Sequence, residues 1–239
     1  MMKESINGLR TCMDRSTAEY FLEIIDDAER VLSSDTLAED IARVSYTLKN
    51  VPENKAVKKS SFEELYNTGA SCHECGLCFS RRVFSRPIIK KGVKVLFIIS
   101  GPSGDSLLSP EEISLFQSWW KKSIYLEEGE WALTTLVKCP SSAFSRDAAD
   151  KCRVYLRTEM EEVEPQMIIV MGHDAASYIL GKNLPIDDLR NRRFLVNKIP
   201  LYVTYSPADF LQNKDALRQK VWSDMLLFRK ALGLEGRNH

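Results

Sequence analysis

A chain of 239 residues can form one large domain, or one domain with a small extension. Its 44% hydrophobic and 28% charged residues are ordinary for a globular protein. Because 33 basic residues balance 33 acidic residues, no overall charge indicates a nucleic-acid or membrane partner, and any such surface must be a local patch.

Neither end of the chain nor its interior carries a targeting or membrane-spanning pattern. The first residues contain no apolar run of signal-peptide length, and no stretch reaches transmembrane length. We therefore expect a cytoplasmic monomer without a membrane partner. In a reducing compartment, its six cysteines are not expected to form disulfides.

Helical periodicity begins the chain. Residues 17–48 predict two helices separated by a short polar interruption, and the polar, proline-containing stretch after them reads as a linker. We place a boundary near residue 55, with residues 1–55 as an N-terminal helical extension and residues 56–239 as the main domain. The extension offers a possible surface for a protein partner.

Strands and helices alternate in the main domain. The apolar runs 94–100, 131–137, 166–172 and 199–205 predict strands covered on both faces. Helical patterns follow them at 109–122, 145–165, 174–181 and 215–233. This order predicts a three-layer α/β/α fold around a four-stranded parallel sheet, with function at the carboxyl ends of the strands.

Five cysteines are spaced like metal ligands. SCHECGLC contains Cys72, Cys75 and Cys78 at two-residue gaps, while Cys139 ends the second strand and Cys152 lies in the helix after it. Thiolates from two segments suit either a structural zinc or a [4Fe–4S] cluster, and the spacing does not choose between them. The plainer alternative is that some of these cysteines are buried small hydrophobes.

Four segments together resemble the family 4 uracil-DNA glycosylases, which carry an iron–sulfur cluster. They are CHECGL, LTTLVKCP, PQMIIVMGHDAA and TYSPADFLQNKDALRQKVWSDM, and the similarity extends from about residue 72 to residue 232. The resemblance implies that Cys72, Cys75, Cys139 and Cys152 hold a [4Fe–4S] cluster of structural role, which leaves Cys78 outside. It also implies a uracil-DNA glycosylase-like fold and a DNA substrate.

The same resemblance places the pocket, and there the sequence departs from the family. The family's first-loop Glu falls on Gly101, its uracil-reading Asn on Thr135, and its third-loop His on Ser206. We expect Asp105 to position water, Ser206 to donate a hydrogen bond to the departing base, and Thr135 to line the pocket. The small-residue loop is expected to bind substrate through backbone amides; its residues are Gly101, Ser103 and Gly104.

DNA contacts are expected from cations and from the loop after the last strand. Lys138 and Arg190, with Arg192 and Arg193 beside it, would bind phosphates. Residues of the third loop would face the duplex, with Leu211 as an apolar wedge; they are Pro207 and Leu211. The tryptophans of the predicted helices are expected to lie in the core; they are Trp119, Trp120 and Trp222.

Two classes of function fit these substitutions. One is a base-excision glycosylase that acts on uracil or another deaminated base. The other is a catalytically silent [4Fe–4S] protein that binds nucleic acid with the same fold. A zinc-stabilised enzyme acting on phosphate esters is a further alternative.

Overall fold

The computed structural model describes residues 62–237. The predicted extension of residues 1–55, its boundary and its partner surface lie outside the described residues. No helix in the described part of the chain is long and apolar enough to cross a membrane. The cytoplasmic location stays a prediction.

A mostly parallel five-stranded sheet forms the centre of the domain. Its spatial order is β2-β1-β3-β5-β4. All five residues of β1 and all five of β3 are buried, as their unbroken apolar runs predict. The strands are β1 (Val95–Ile99), β2 (Trp131–Thr135), β3 (Met167–Met171), β4 (Phe194–Val196) and β5 (Ile199–Thr204).

The predicted strand count of four is wrong by one edge strand. β4 pairs antiparallel with β5 through a hairpin whose two turn residues, Asn197 and Lys198, both have positive φ of 50° and 71°. This is the backbone that a two-residue type I′ turn requires. With only three residues, β4 is too short for its alternation to stand out in the sequence.

Helices cover both faces of the sheet, which confirms the three-layer α/β/α class. One face packs against α3 (Arg146–Val163) and α4 (His173–Leu180), and the other against α2 (Pro110–Gln117), a π-helix (Ser118–Ile124) and α7 (Lys214–Ala231). The remaining helices are α1 (Phe62–Gly69), a 3-10 helix (Gly76–Phe79), α5 (Ile186–Leu189) and α6 (Pro207–Gln212).

Helix ends follow the local sequence signals closely. Ser109 caps α2 and forms a capping box with Glu112, and Pro110 occupies the first turn. Trp119 and Trp120 are buried as predicted, whereas Trp222 is 53% exposed on α7 and does not belong to the core.

Helix α1 packs against α3 through aromatic rings. Tyr66 lies 5.5 Å from Tyr155 and 5.8 Å from Phe84 between ring centroids, and Phe84 lies 5.1 Å from Tyr155. Because Cys72 follows α1 directly and Cys152 lies in α3, this contact brings the first thiol segment towards the second.

Candidate functional site

The first and second loops meet at the carboxyl edge of the sheet. Ile99 pairs with Thr135 in register, and the amides of Leu136 and Val137 then donate to the carbonyls of Ile99 and Ser100 at 2.9 and 3.0 Å. A Cβ added at Gly101 would lie 4.0 Å from the Cβ of Val137, an ordinary contact. This loop position, which the resemblance aligns with a Glu, therefore has space for a Cβ atom.

Thr135 is fully buried at the end of β2, and its hydroxyl has no hydrogen-bond partner among the described residues. Buried polar atoms in proteins nearly always have a partner, so each exception calls for an explanation. The hydroxyl of Thr135 is thus a buried polar atom without a described partner, at the position that the resemblance aligns with the base-reading Asn.

Ser206 has a structural task that the sequence prediction did not include. It caps α6: its hydroxyl accepts from the amide of Asp209 at 3.1 Å and donates to the Asp209 carboxylate at 2.7 Å. The amide of Ser206 also donates to that carboxylate, at 3.0 Å. The hydroxyl proton predicted for the departing base is therefore engaged in the helix cap.

Gly172 at the end of β3 allows the third loop to approach closely. It has φ of +95°, and a Cβ there would lie 3.2 Å from the Cβ of Ser206. Gly172 stands at the N-cap of α4. Only glycine readily adopts this backbone, so the close approach of β3 and the third loop depends on it.

The small-residue loop is more exposed than Thr135 at the end of β2. Asp105 and Gly104 are exposed, and no described residue makes a hydrogen bond with the Asp105 carboxylate. The amide of Ser103 donates to the carbonyl of Leu107 at 3.3 Å, which closes a turn. That amide is consequently not free for an anion, in contrast to the prediction for Ser103.

Lys138 does not face DNA, and this prediction requires correction. Its side chain is 0% exposed, and its Nζ lies 2.7 Å from Oε1 of Glu159, whose side chain is also 0% exposed. The same Nζ donates to the Thr134 hydroxyl at 2.8 Å and to the Thr135 carbonyl at 2.6 Å. All three ammonium protons thus have partners inside the protein.

Arg190 is likewise buried, and the structure corrects its predicted role. Its Nε and Nη2 donate to the two carboxylate oxygens of Asp224 at 2.8 Å each. Thr204 at the end of β5 donates to the same carboxylate at 2.6 Å. Burial raises the pKa of Asp224, against the opposing effect of Arg190. Asp224 therefore joins α7 both to Arg190 at the end of α5 and to the last strand before the third loop.

Arg192 and Arg193 are exposed and make no ion pair with a described residue. They immediately precede β4, whose first residue pairs with the interior of antiparallel β5, so they lie towards the carboxyl edge. Leu211 is 37% exposed on α6, a short helix where a loop was predicted, and Pro207 is buried in its first turn.

Two of the cavities on the described surface have linings that do not include Gly101, Thr135 or Ser206. The larger, of 480 Å³, is an apolar groove between the π-helix and α7 that includes Trp222. The other, of 390 Å³, lies beside the start of α4 and includes Arg146, His173 and Asn183.

The predicted cluster thiols neighbour one another. Cys139 and Cys152 are 4% and 5% exposed, and Cys72 and Cys75 are half-buried. Cys72 and Cys75 lie near enough to act electrostatically on Cys139, and Cys75 and Cys139 on Cys152. Within residues 62–237, no group of three or more His, Cys, Asp or Glu could hold a metal ion as arranged.

Hydrogen-bond donors and acceptors surround the thiols. Arg81 lies close enough to Cys139, Tyr155 to Cys72 and the backbone of Lys138 to Cys152 to act on these thiols. Burial raises the pKa of the Cys152 thiol to about 11, although Lys138 acts against this shift. Four cysteines match the number and type of ligands of a [4Fe–4S] cluster, in which each thiolate binds a different iron and no single ion gathers all four.

A buried hydroxyl also lies near this donor set. The amide of Ser85 donates to the carbonyl of Lys138 at 2.8 Å, directly before Cys139, and the Ser85 hydroxyl has no partner in the described structure. Hydrogen bonds to sulfur tune iron–sulfur centres, so a donor available here is consistent with the group.

Sequence reasoning missed Glu159, Asp209 and Gly172. Glu159 follows Cys152 by seven positions on α3, which puts both on one helix face, and Ser206 and Asp209 have the spacing of a capping box. These two signals were present in the sequence. The close contact that requires Gly172 is tertiary and had none.

The family model described as the Uracil DNA glycosylase superfamily matches residues 66–226. The match begins in α1, ends in α7, and includes the whole sheet, the three loops at its carboxyl edge and all four predicted cluster cysteines.

Proposed function

Because the chain belongs to the uracil DNA glycosylase superfamily, we propose that it hydrolyses the N-glycosidic bond of uracil or another deaminated base in DNA. The observation that carries this proposal is the buried, unpartnered hydroxyl of Thr135 at the carboxyl end of β2. A flipped base offers donors and acceptors on its Watson–Crick edge, and Thr135 can provide one of each from a single oxygen.

The chemistry requires water on the sugar side and a donor towards the departing base. Asp105 is the carboxylate of the first loop and would position the water. Ser206 would donate a hydrogen bond to the base. To do so, its hydroxyl must first break the hydrogen bond that it donates to the Asp209 carboxylate at 2.7 Å. A pocket with this donor and without the family's Asn is expected to prefer a base other than uracil, or to discriminate less.

We propose that Cys72, Cys75, Cys139 and Cys152 hold a [4Fe–4S] cluster and that the protein is an iron–sulfur glycosylase. The proposal is supported by the proximity of the thiols, which act electrostatically on one another, and by the polar groups close to them. When bound, the cluster would cross-link two segments of the chain and would take no part in base excision itself. It would hold the loop after β2 against the segment before β1.

DNA binding follows from the family, and we propose which residues provide it. Arg192 and Arg193 would contact phosphates, and Leu211 would enter the space of the departing base. Lys138 and Arg190 would support these contacts from inside the fold, since both are buried in ion pairs. Binding should weaken with salt, as phosphate contacts release counterions.

Binding without hydrolysis is the second candidate function. The engagement of the Ser206 hydroxyl in the α6 cap favours it, because the donor for the leaving base is then occupied. In that case the fold and the cysteines would serve recognition of DNA alone.

Excision from oligonucleotides that contain uracil or hypoxanthine separates the two candidates. Ser206→Ala and Ser109→Ala remove matched capping boxes, so both should lose similar stability. Only Ser206→Ala should lower excision, by at least tenfold. If the protein in excess binds both oligonucleotides and forms no abasic product from either, the glycosylase proposal is refuted and binding without hydrolysis is supported.

A further inference from the structure

We propose that the buried Lys138–Glu159 ion pair, completed by Tyr66 and Thr134, is the positioning element of the thiol site, with Glu159 as its central residue. This inference rests on the cluster assigned above. It gives a reason for the complete burial of Lys138 next to Cys139, because a lysine at the surface would not have required the desolvation of its charge.

Glu159 collects its partners inside the protein. One oxygen takes the Lys138 ammonium at 2.7 Å, and the hydroxyls of Tyr66 and Thr134 also donate to the carboxylate. Lys138 in turn bonds to the Thr134 hydroxyl and the Thr135 carbonyl. Tyr66 is 2% exposed, and Thr134, Lys138 and Glu159 are 0% exposed.

Each partner comes from a different thiol-bearing segment. Tyr66 lies on α1, which leads directly into Cys72 and Cys75. Lys138 is the neighbour of Cys139. Glu159 lies about two helical turns after Cys152 on the same face of α3. The network thus joins the three segments that the cluster would also join, at a second point behind the thiols.

Neighbouring residues connect this network to the sulfurs. The backbone of Lys138 lies close enough to Cys152 to act on its thiol, and Tyr155, which lies close to the Cys72 thiol, packs edge-on against Tyr66. A shift of Glu159 would therefore be transmitted to thiols on both sides of the site.

Because both charges of the Lys138–Glu159 pair are buried, an effect on the geometry of the thiol site can be tested separately from an effect on the stability of the fold. A buried ion pair often stabilises a fold no more than apolar residues of equal volume, whereas its hydrogen bonds specify one geometry. Replacing both partners by methionine should keep the domain folded and remove that geometry. We therefore expect the double variant to fold but to hold the cluster poorly.

The experiment compares Lys138→Met/Glu159→Met with Arg190→Met/Asp224→Met in the full chain. Both variants replace a buried ion pair, but only the first touches the thiol segments. After identical anaerobic reconstitution, iron and sulfide per chain are measured, and then the rate of iron release to a chelator below the unfolding temperature. We expect release at least tenfold faster in the first variant and unchanged from wild type in the second.

Tyr66→Phe gives a milder test because it removes one hydrogen bond and keeps the ring. It should release iron several-fold faster than wild type, with a changed visible spectrum of the cluster. If the double variant does not fold, Tyr66→Phe decides, and a wild-type release rate would overturn the inference. Equal release from both folded double variants would also overturn it, while the cluster stands. A wild-type chain that takes up neither iron nor sulfide would refute the cluster itself.

Discussion

Arg190→Ala separates a role in the fold from a role in DNA binding. The change removes two hydrogen bonds of 2.8 Å from Asp224, whose side chain is 1% exposed, and leaves that carboxylate only the Thr204 hydroxyl. Removing one partner of a buried ion pair costs about 3–5 kcal/mol. At about 2–4 °C per kcal/mol for a domain of this size, the unfolding midpoint should fall by roughly 6–20 °C.

The exposed neighbours should behave in the opposite way. Arg192 and Arg193 make no ion pair within the described structure, so replacing both by alanine should change the free energy of unfolding by less than about 0.5 kcal/mol. Each lost phosphate contact should lower the slope of log affinity against log salt by about 0.9 on duplex DNA, or about 0.7 on single strands.

Thermal unfolding and oligonucleotide binding at several salt concentrations test both expectations. Binding is compared at a temperature where Arg190→Ala is still folded, so that affinity refers to native protein. An Arg190→Ala variant with wild-type stability and a reduced salt slope would refute the buried role of Arg190. That result would instead support the phosphate contact that the sequence analysis predicts for Arg190.

Three further predictions concern the loops and the charge network. Gly172→Ala should cost about 1–3 kcal/mol of unfolding free energy, since its φ is +95° and a Cβ would crowd Ser206, whereas Gly101→Ala should be nearly neutral in the same denaturation assay. Gly101→Glu should fit and raise uracil excision roughly 10²-fold by returning a carboxylate; no increase in single-turnover rate would contradict this. Lys220 holds the pKa of Asp187 down at about 2. The ionised Asp187 carboxylate should thus contribute fully to the free energy of unfolding above about pH 4. This contribution should be lost as pH falls towards 2, and an Asp187→Asn variant should not show that loss.

Local patterns carried most of the fold. Unbroken apolar runs located β1 and β3, and the capping box of Ser109 located the start of α2, because these signals lie within a few neighbouring residues. The edge strand β4 was missed because three residues joined by a two-residue turn produce no periodicity. The four-strand prediction therefore erred only at the edge of the sheet.

Burial of charge was the part that sequence could not supply. Lys138 and Arg190 read as surface cations because charged residues are rarely buried without a partner. Their partners, Glu159 and Asp224, lie on helices distant in sequence, so each pair exists only in the folded chain. The free hydroxyl of Thr135 is also a property of its surroundings and not of its residue type.

Release of a free base is the most direct test of the proposed glycosylase. Anaerobically purified protein is incubated in excess with oligonucleotides containing uracil or hypoxanthine, and the abasic product is quantified after alkaline cleavage. The account predicts abasic product from at least one of these substrates, at a rate lowered by Ser206→Ala and not by Ser109→Ala. Complete retention of both bases in oligonucleotide that is fully bound by the protein would contradict it.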